Sequence, residues 1–180
     1  MSRMSAALAL SVLVSTGCSG GSDTPPSTLP TLSSTPSPTP TVEPVPSAAT
    51  AETPDGADAF VRYFFAQMNI AFREARPELI TALAQPTCRT CKRLADSLEK
   101  SRLKGELLNG DTFTVQATAA TAVSASRGTV TVAGDLPARD ATDSTGRVTR
   151  KIAAQGHFAF DVNIVWTLDR WLVDQMSEVS

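Results

Sequence analysis

Histidine and cysteine are scarce in this chain of 180 residues, which contains one His, three Cys and one Tyr. His157 together with Cys88 and Cys91 offers at most three metal ligands, and their spacing is not that of a zinc finger. The sequence therefore predicts no metal site, and it indicates no cofactor.

Long runs of a single residue class are also missing. No apolar run reaches the roughly 20 residues that a membrane-spanning helix needs. The 16 Lys and Arg nearly balance the 18 Asp and Glu, and no basic block stands out, so nucleic acid is not an expected partner. No glycine-rich phosphate loop lies between a strand and a helix. Ser124 and Ser126 show no nucleophile-elbow pattern.

Residues 1–17 have the pattern of a signal peptide. Arg3 supplies a positive start, and the apolar stretch 6–14 is too short to span a bilayer. Small residues then lead directly into Cys18. This junction resembles a lipobox, which implies a diacylglycerol on Cys18 and an exported protein anchored to the outer face of the membrane. An ordinary signal-peptidase cut stays open as the alternative, because Ser15 stands where a lipobox usually has Leu.

Residues 18–52 are predicted to form a lipidated Cys followed by a stalk. The part after Cys18 contains eight of the twelve prolines and no aromatic residue. Such a segment cannot bury enough apolar surface to offset the entropy of ordering it. Its prolines favour an extended polyproline conformation, so we expect a disordered, semi-stiff tether.

The remaining residues, 53–180, are expected to fold as one domain that opens with a long helix. Thr53 is a good N-cap residue, and Pro54 suits the first helical position. Apolar residues then recur every three or four positions, which is typical of an amphipathic helix. Gln67 is expected on its polar face. The apolar stripe comprises Ala57, Phe60, Val61, Phe64, Phe65, Met68 and Phe72.

Two further helices are predicted before the chain changes character. Pro77 should open a short helix through Leu83, and Pro86 should end it. Thr87 is expected to cap a third helix that stops at Gly105. The later elements are predicted as a strand at 112–124, a turn at 126–128, a strand around 130–132, a loop or long hairpin tip at 135–146, a strictly alternating strand at 158–168, a turn at 169–170 and a last strand at 171–179.

Helices followed by about four antiparallel strands predict an α+β fold. The first helix, rich in Phe, is the natural cover for one face of the sheet. A strongly curved antiparallel sheet wrapped around a helix gives a cone with a cavity.

Four sequence features together resemble one known family. They are the segments 53–57 and 60–64, the pair Cys88 and Cys91 at a helix start, and the closing strand from Trp171. The resemblance, over about 53–179, is to an actinobacterial lipoprotein family of unknown function. It implies a cone fold similar to nuclear transport factor two and SnoaL-type proteins. It implies no activity, and no catalytic residue of SnoaL-type enzymes maps onto this chain.

Cys88 and Cys91 are predicted to form a disulfide, because two nearby thiols outside the cytoplasm normally oxidise. The alternative is redox exchange, since a helix N-terminus and Arg89 would both stabilise a thiolate at Cys88. The context disagrees with thioredoxin-like proteins, which place such a pair after a strand and opposite a cis-proline.

His157 and Asp161 are a second candidate site. They share one face of a strand, and a His–carboxylate pair can act in acid–base catalysis. With Tyr63 they would line a pocket in the cone. The leading hypothesis is nevertheless a non-enzymatic lipoprotein that binds an envelope protein, the cell wall or a small apolar ligand. A surface thiol–disulfide protein and a cone-pocket enzyme are the rivals.

Overall fold

A computed structural model describes residues 44–124 and 126–179. The predicted signal peptide, Cys18 and the first part of the stalk lie outside the described residues. The helices are α1 (Pro54–Glu74), α2 (Glu78–Thr81) and α3 (Arg89–Lys104). The strands in this part of the chain are β1 (Leu107–Asn109), β2 (Thr114–Ser124), β3 (Arg127–Leu136), β4 (Arg139–Thr142), β5 (Val148–Ile152), β6 (Gly156–Thr167) and β7 (Arg170–Glu178).

Helix α1 begins as the sequence predicts. The Thr53 hydroxyl accepts a hydrogen bond from the Gly56 amide at 3.1 Å, and Pro54 is the first helical residue. The helix ends at Ala75, which takes the left-handed conformation with φ 50°. Within residues 44–124 and 126–179, no helix combines the length and apolar character required to cross a membrane.

The two shorter helices differ in detail from the prediction. Helix α2 ends at Thr81, and the following segment instead pairs with β7, because the Gln85 amide donates to the Val173 carbonyl at 2.7 Å. Thr87 does not cap α3, since its hydroxyl donates to Asp174 on β7. Cys88 takes the N-cap position. The predicted stop at Gly105 is confirmed, with φ 63°.

The main sheet has four antiparallel strands in the order β2-β3-β6-β7. Its side chains alternate between an inner face, toward α1, and an outer face. Val130, Val132 and Val162 are fully buried on the inner face. Thr131 and Asp161 form a cross-strand pair on the outer face. The predicted α+β class and its curved antiparallel sheet are confirmed.

The turn between β6 and β7 comes one residue earlier than predicted. Strand β6 ends at Thr167, which pairs with Arg170, so Leu168 and Asp169 form a two-residue turn. Both have positive φ, 50° and 60°, as type I′ hairpin turns require. Leu168 is therefore 85% exposed and does not continue the apolar face of the strand.

Residues 135–146 form a long hairpin tip and not a loop. Beyond Leu136 the chain forms β4, which pairs with β5, and β1 joins the other edge of β4. The result is a second, three-stranded sheet in the order β1-β4-β5. The sequence did not predict this sheet, because its short strands are mostly polar and lack apolar alternation.

The core lies between α1 and the inner face of the main sheet. The rings of Phe65 and Phe158 stack with centroids 5.9 Å apart and planes 7° from parallel. Phe113 meets both rings edge-on, at 5.3 Å from Phe65 and 5.5 Å from Phe158. Full burial of each such side chain contributes about 1.5–3 kcal/mol to folding. This aromatic cluster fills the space under the curved sheet.

Two polar residues of α1 are buried within this arrangement. Gln67, predicted on the polar face, is only 1% exposed, and its amide atoms have no hydrogen-bond partner in the described part of the chain. Asn69, in contrast, forms hydrogen bonds through both its side-chain oxygen and its side-chain nitrogen. Its side-chain oxygen accepts from the Thr112 and Phe113 amides at 3.0 and 2.9 Å, and its amide donates to the Phe113 carbonyl at 2.9 Å. Asn69 thus fixes the segment that enters β2 against α1.

The folded region begins before Thr53, so the predicted stalk ends too late. A 3-10 helix spans Ser47–Thr50, and its Ala49 is 1% exposed. The Trp171 indole donates to the Ala51 carbonyl at 2.8 Å. Gly56 makes this approach possible, because a Cβ there would lie 2.1 Å from the same carbonyl oxygen. The entry of the chain into the domain is therefore anchored to β7.

We predict that Asn69→Ala lowers the free energy of unfolding by about 3 kcal/mol, since three buried hydrogen bonds at about 1 kcal/mol each are lost. Urea unfolding of the full chain measures this change. Asn109→Ala is the matched control, because Asn109 is exposed and should change stability by less than about 0.5 kcal/mol. Equal losses in both variants would contradict the role assigned to Asn69.

Candidate functional site

Cys88 and Cys91 form a disulfide at the start of α3. Their Cα atoms are 5.3 Å apart, and the two residues are 1% and 2% exposed. The Cys88 sulfur also accepts a hydrogen bond from the Cys91 amide at 3.2 Å, which satisfies a free donor at the helix start. The pair therefore combines a covalent link with the N-cap.

The burial of this disulfide favours a structural role. Thiol–disulfide exchange requires an attacking thiolate to reach a sulfur atom. Both cysteines line a groove of about 330 Å³, together with Ala84 and Ala95, but only 1% and 2% of their surface is exposed. Redox exchange has no further support from the geometry.

The pocket predicted from Tyr63, His157 and Asp161 does not form. Residues four apart on a strand are separated by about 13 Å, at roughly 3.3 Å per residue, so His157 and Asp161 cannot share a proton directly. His157 has 87% of its side chain exposed and contacts Asp135 at 2.5 Å. Asp161 accepts from the Thr131 hydroxyl at 2.7 Å on the outer face. Tyr63 is buried on α1.

A different site lies between α3 and the second sheet. It is a partly enclosed cavity of about 250 Å³, here named the arginine cavity. Its apolar wall comprises Phe72, Leu98, Leu108 and Ile152. Its polar lining comprises Ser97, Ser101, Glu106, Arg139, Arg150 and Gln155.

Strand register brings the two arginines of the cavity to one face. Arg139 lies opposite Ile152, and Ala141 lies opposite Arg150. Because alternate residues of a strand share a face, Arg139, Ala141 and Arg150 point the same way. Ala141 is fully buried, so this face is turned toward the protein. Ser97 and Ser101, four apart on α3, lie on one face of that helix.

The charges in the cavity do not cancel. Arg150 pairs with Glu106 at 2.8 Å, whereas Arg139 has no salt bridge within the described residues. Within the described residues the Arg139 side chain donates one hydrogen bond, from Nη1 to the Pro137 carbonyl at 3.1 Å, and its Nε is buried without a partner. Burial lowers the pKa of the Arg139 guanidinium, and the nearby Arg150 charge lowers it further. Two arginines and one glutamate leave a net charge of +1.

The hairpin that carries both arginines is closed by Asp143. One carboxylate oxygen accepts from the Thr145 amide at 2.9 Å, the Thr145 hydroxyl at 2.5 Å and the Arg147 amide at 3.1 Å. The Thr145 hydroxyl bond is the main cause that lowers the pKa of Asp143 to about 2. This local network sets the turn between β4 and β5, and with it the positions of Arg139 and Arg150.

Sequence reasoning missed this cavity because it assigned no role to its charged residues. Arg139 lay in a predicted loop or hairpin tip, and Arg150 lay outside any predicted element. Residues 148–152 gave no alternating signal, because Val148 and Ile152 enclose three polar residues. In the described residues, no group of three or more His, Cys, Asp or Glu is placed to hold a metal ion.

A match to a protein-family model shows to which family this chain belongs. Residues 34–177 match a family of unknown function, DUF6318. The chain belongs to this family. The predicted membership in a family of unknown function is therefore confirmed, and the family's domain includes every residue of the arginine cavity. A search of curated proteins finds no relative.

Of three similar solved structures, the first, with a TM-score above 0.5, supports the fold alone. The intermembrane space region of the chloroplast protein ARC6 is 14% identical, with a TM-score of 0.51, and the match covers 71% of this chain and 97% of that one. An NTF-2 like protein of unknown function from Shewanella oneidensis is 10% identical, with a TM-score of 0.42 and coverage of 67% and 97%. A cystatin-like domain of unknown function from Nostoc punctiforme is 15% identical, with a TM-score of 0.43 and coverage of 68% and 76%.

We predict that the double variant Cys88→Ser, Cys91→Ala lowers the free energy of unfolding by about 2 kcal/mol. The disulfide closes a loop of about four residues, and loop entropy gives this magnitude. The serine side chain keeps an N-cap acceptor, so the change isolates the covalent link. Urea unfolding of the full chain is the measurement, and the reduced wild type should match the variant. Unchanged stability in both would show that the bond is not a structural clamp.

We predict that the β4–β5 hairpin loosens as pH falls from about 4 toward 2. A carboxyl whose pKa is depressed in the folded protein stabilises the fold at pH values above its unfolded pKa. For Asp143 the ordinary pKa is 3.8, so this stability is lost as the pH falls from there through the folded value. Amide hydrogen exchange of residues 141–150 measures the effect. Asp143→Asn should give weaker protection at pH 5 and little further loss at pH 2. Equal protection in the two proteins at pH 5 would refute this role of Asp143.

Proposed function

We propose that this chain is an exported envelope lipoprotein, anchored through Cys18, whose domain acts as a non-enzymatic binding module outside the membrane. The observation that carries the binding part is the arginine cavity, a partly enclosed space lined by hydrogen-bond donors. Among the described residues that line it there is no His, Cys or acid–base pair that could activate a nucleophile. The one carboxylate in this described lining, Glu106, accepts a hydrogen bond from Arg150 at 2.8 Å.

The anchor part of the proposal is supported by sequence. A positive start, a short apolar stretch and small residues lead directly into Cys18. A diacylglycerol would contribute two acyl chains, which hold a protein at a membrane for long times, whereas one chain binds only marginally.

The two rival functions have less support. A surface thiol–disulfide protein needs an accessible pair, and Cys88 and Cys91 are covered. A cone-pocket enzyme would need His157 inside the cone, but His157 is exposed on the outer face, while Phe65 and Phe158 fill the interior. The anchored binding module is consistent with both observations.

We predict that the native mature protein begins at Cys18, carries a diacylglycerol there and weighs two hydrogens less than its reduced form. Intact-mass analysis measures all three features together. Cys18→Ser should move the protein from the membrane fraction to the soluble fraction. The variant Cys88→Ser, Cys91→Ala is the matched control and should stay with the membrane. A native product with an uncut leader in the cytosol would refute the proposal.

A further inference from the structure

Arg139 is a half-buried cation that lacks a counter-charge. No carboxylate oxygen of the described residues lies within salt-bridge distance of it, and its Nε has neither exposure nor a hydrogen-bond partner. A buried polar donor without a partner costs free energy, and a buried charge costs more. An anion bound in the cavity would offset that cost.

The free edge of the Arg139 guanidinium suits an oxyanion. Nη1 donates to the Pro137 carbonyl and Nε is covered by protein atoms, so the Nη end of the guanidinium is the part that a ligand can reach. Two parallel N–H groups match the two oxygens of a carboxylate. Arg139 keeps its charge at physiological pH even with a lowered pKa, because arginine ordinarily titrates far above that range.

The surrounding residues define the rest of the ligand. The net charge of +1 in the cavity, after the Glu106–Arg150 pair, is neutralised by one negative charge and not by two. Phe72, Leu98 and Ile152 line the apolar wall beside the arginines. The volume of about 250 Å³ lies below the roughly 300–1,000 Å³ of pockets for drug-sized ligands. The ligand is therefore small, with one acidic end and an apolar body.

We propose that the cavity between α3 and the second sheet binds a small monocarboxylate, with its carboxylate on Arg139 and its hydrocarbon part against Phe72, Leu98 and Ile152. Arg150 supplies a second positive charge, and Ser101 supplies a hydroxyl donor at the same cavity. This inference rests on the proposed function, since it names the ligand class of the same cavity. It concerns residues that the anchor at Cys18 does not involve.

The test is calorimetric titration of the full chain with three probes: butyrate, butanol and inorganic phosphate. Butyrate should bind at least tenfold more tightly than butanol, which has the same apolar body without the charge. It should also bind more tightly than phosphate, which lacks the apolar body. Arg139→Gln should weaken butyrate binding at least tenfold. Lys151→Gln is the matched control, because Lys151 is on β5 but faces away from the cavity, and binding should stay within twofold.

Arg139→Lys separates the role of the charge from that of the donor edge. Lysine keeps the charge but not the paired donors, so we expect an intermediate loss of butyrate affinity. Thermal unfolding of each variant shows whether it is folded. If Arg139→Gln does not fold, the comparison of wild type with Arg139→Lys is the test. Equal butyrate binding in wild type and folded Arg139 variants would overturn the inference, as would tighter binding of phosphate or butanol. Absence of any butyrate binding to the folded wild type would overturn the inference too. In that case, a lipid found on Cys18 would still support the anchor part of the proposed function.

Discussion

The packing of α1 against the inner face of the four-stranded sheet is the interaction on which the rest of the structure depends. The stacked rings of Phe65 and Phe158, with Phe113 against both, fill the space that a curved sheet encloses. Asn69 then fixes the segment before β2 to the same helix. Because the interior is occupied by side chains, the arginine cavity lies instead at the margin, between α3 and the second sheet.

This placement puts the charged residues of the cavity outside the core that stabilises the fold. The stacked aromatic residues of the core lie outside the arginine cavity, whose charged lining comes mainly from the β4–β5 hairpin, although its apolar wall shares Phe72 and Leu98 with the core. Short hairpins carry few apolar contacts, so local hydrogen bonds such as those of Asp143 determine their geometry. A half-buried Arg139 without a counter-charge is tolerated because the core supplies the stability elsewhere.

The sequence predicted those elements whose periodicity reflects burial. The three- and four-residue spacing of α1, the strict alternation of β6 and the stop at Gly105 all derive from local physics, and the structure confirms them. The prediction that Thr87 caps α3 was wrong, because its hydroxyl donates to Asp174 on a distant strand. The arginine cavity and the His157–Asp135 pair could not be predicted, since both depend on strand register, which a polar pattern does not specify.

The central claim is that the Arg139 guanidinium has a free donor edge that an anion completes. The most direct measurement is the NMR signal of the Arg139 Nε–H group in the ¹⁵N-labelled full chain, recorded with and without butyrate. The account predicts that butyrate shifts this signal, while the Nε–H signal of Arg147, already bonded to Asp143, stays unchanged. An Arg139 signal that does not respond to butyrate would contradict the account.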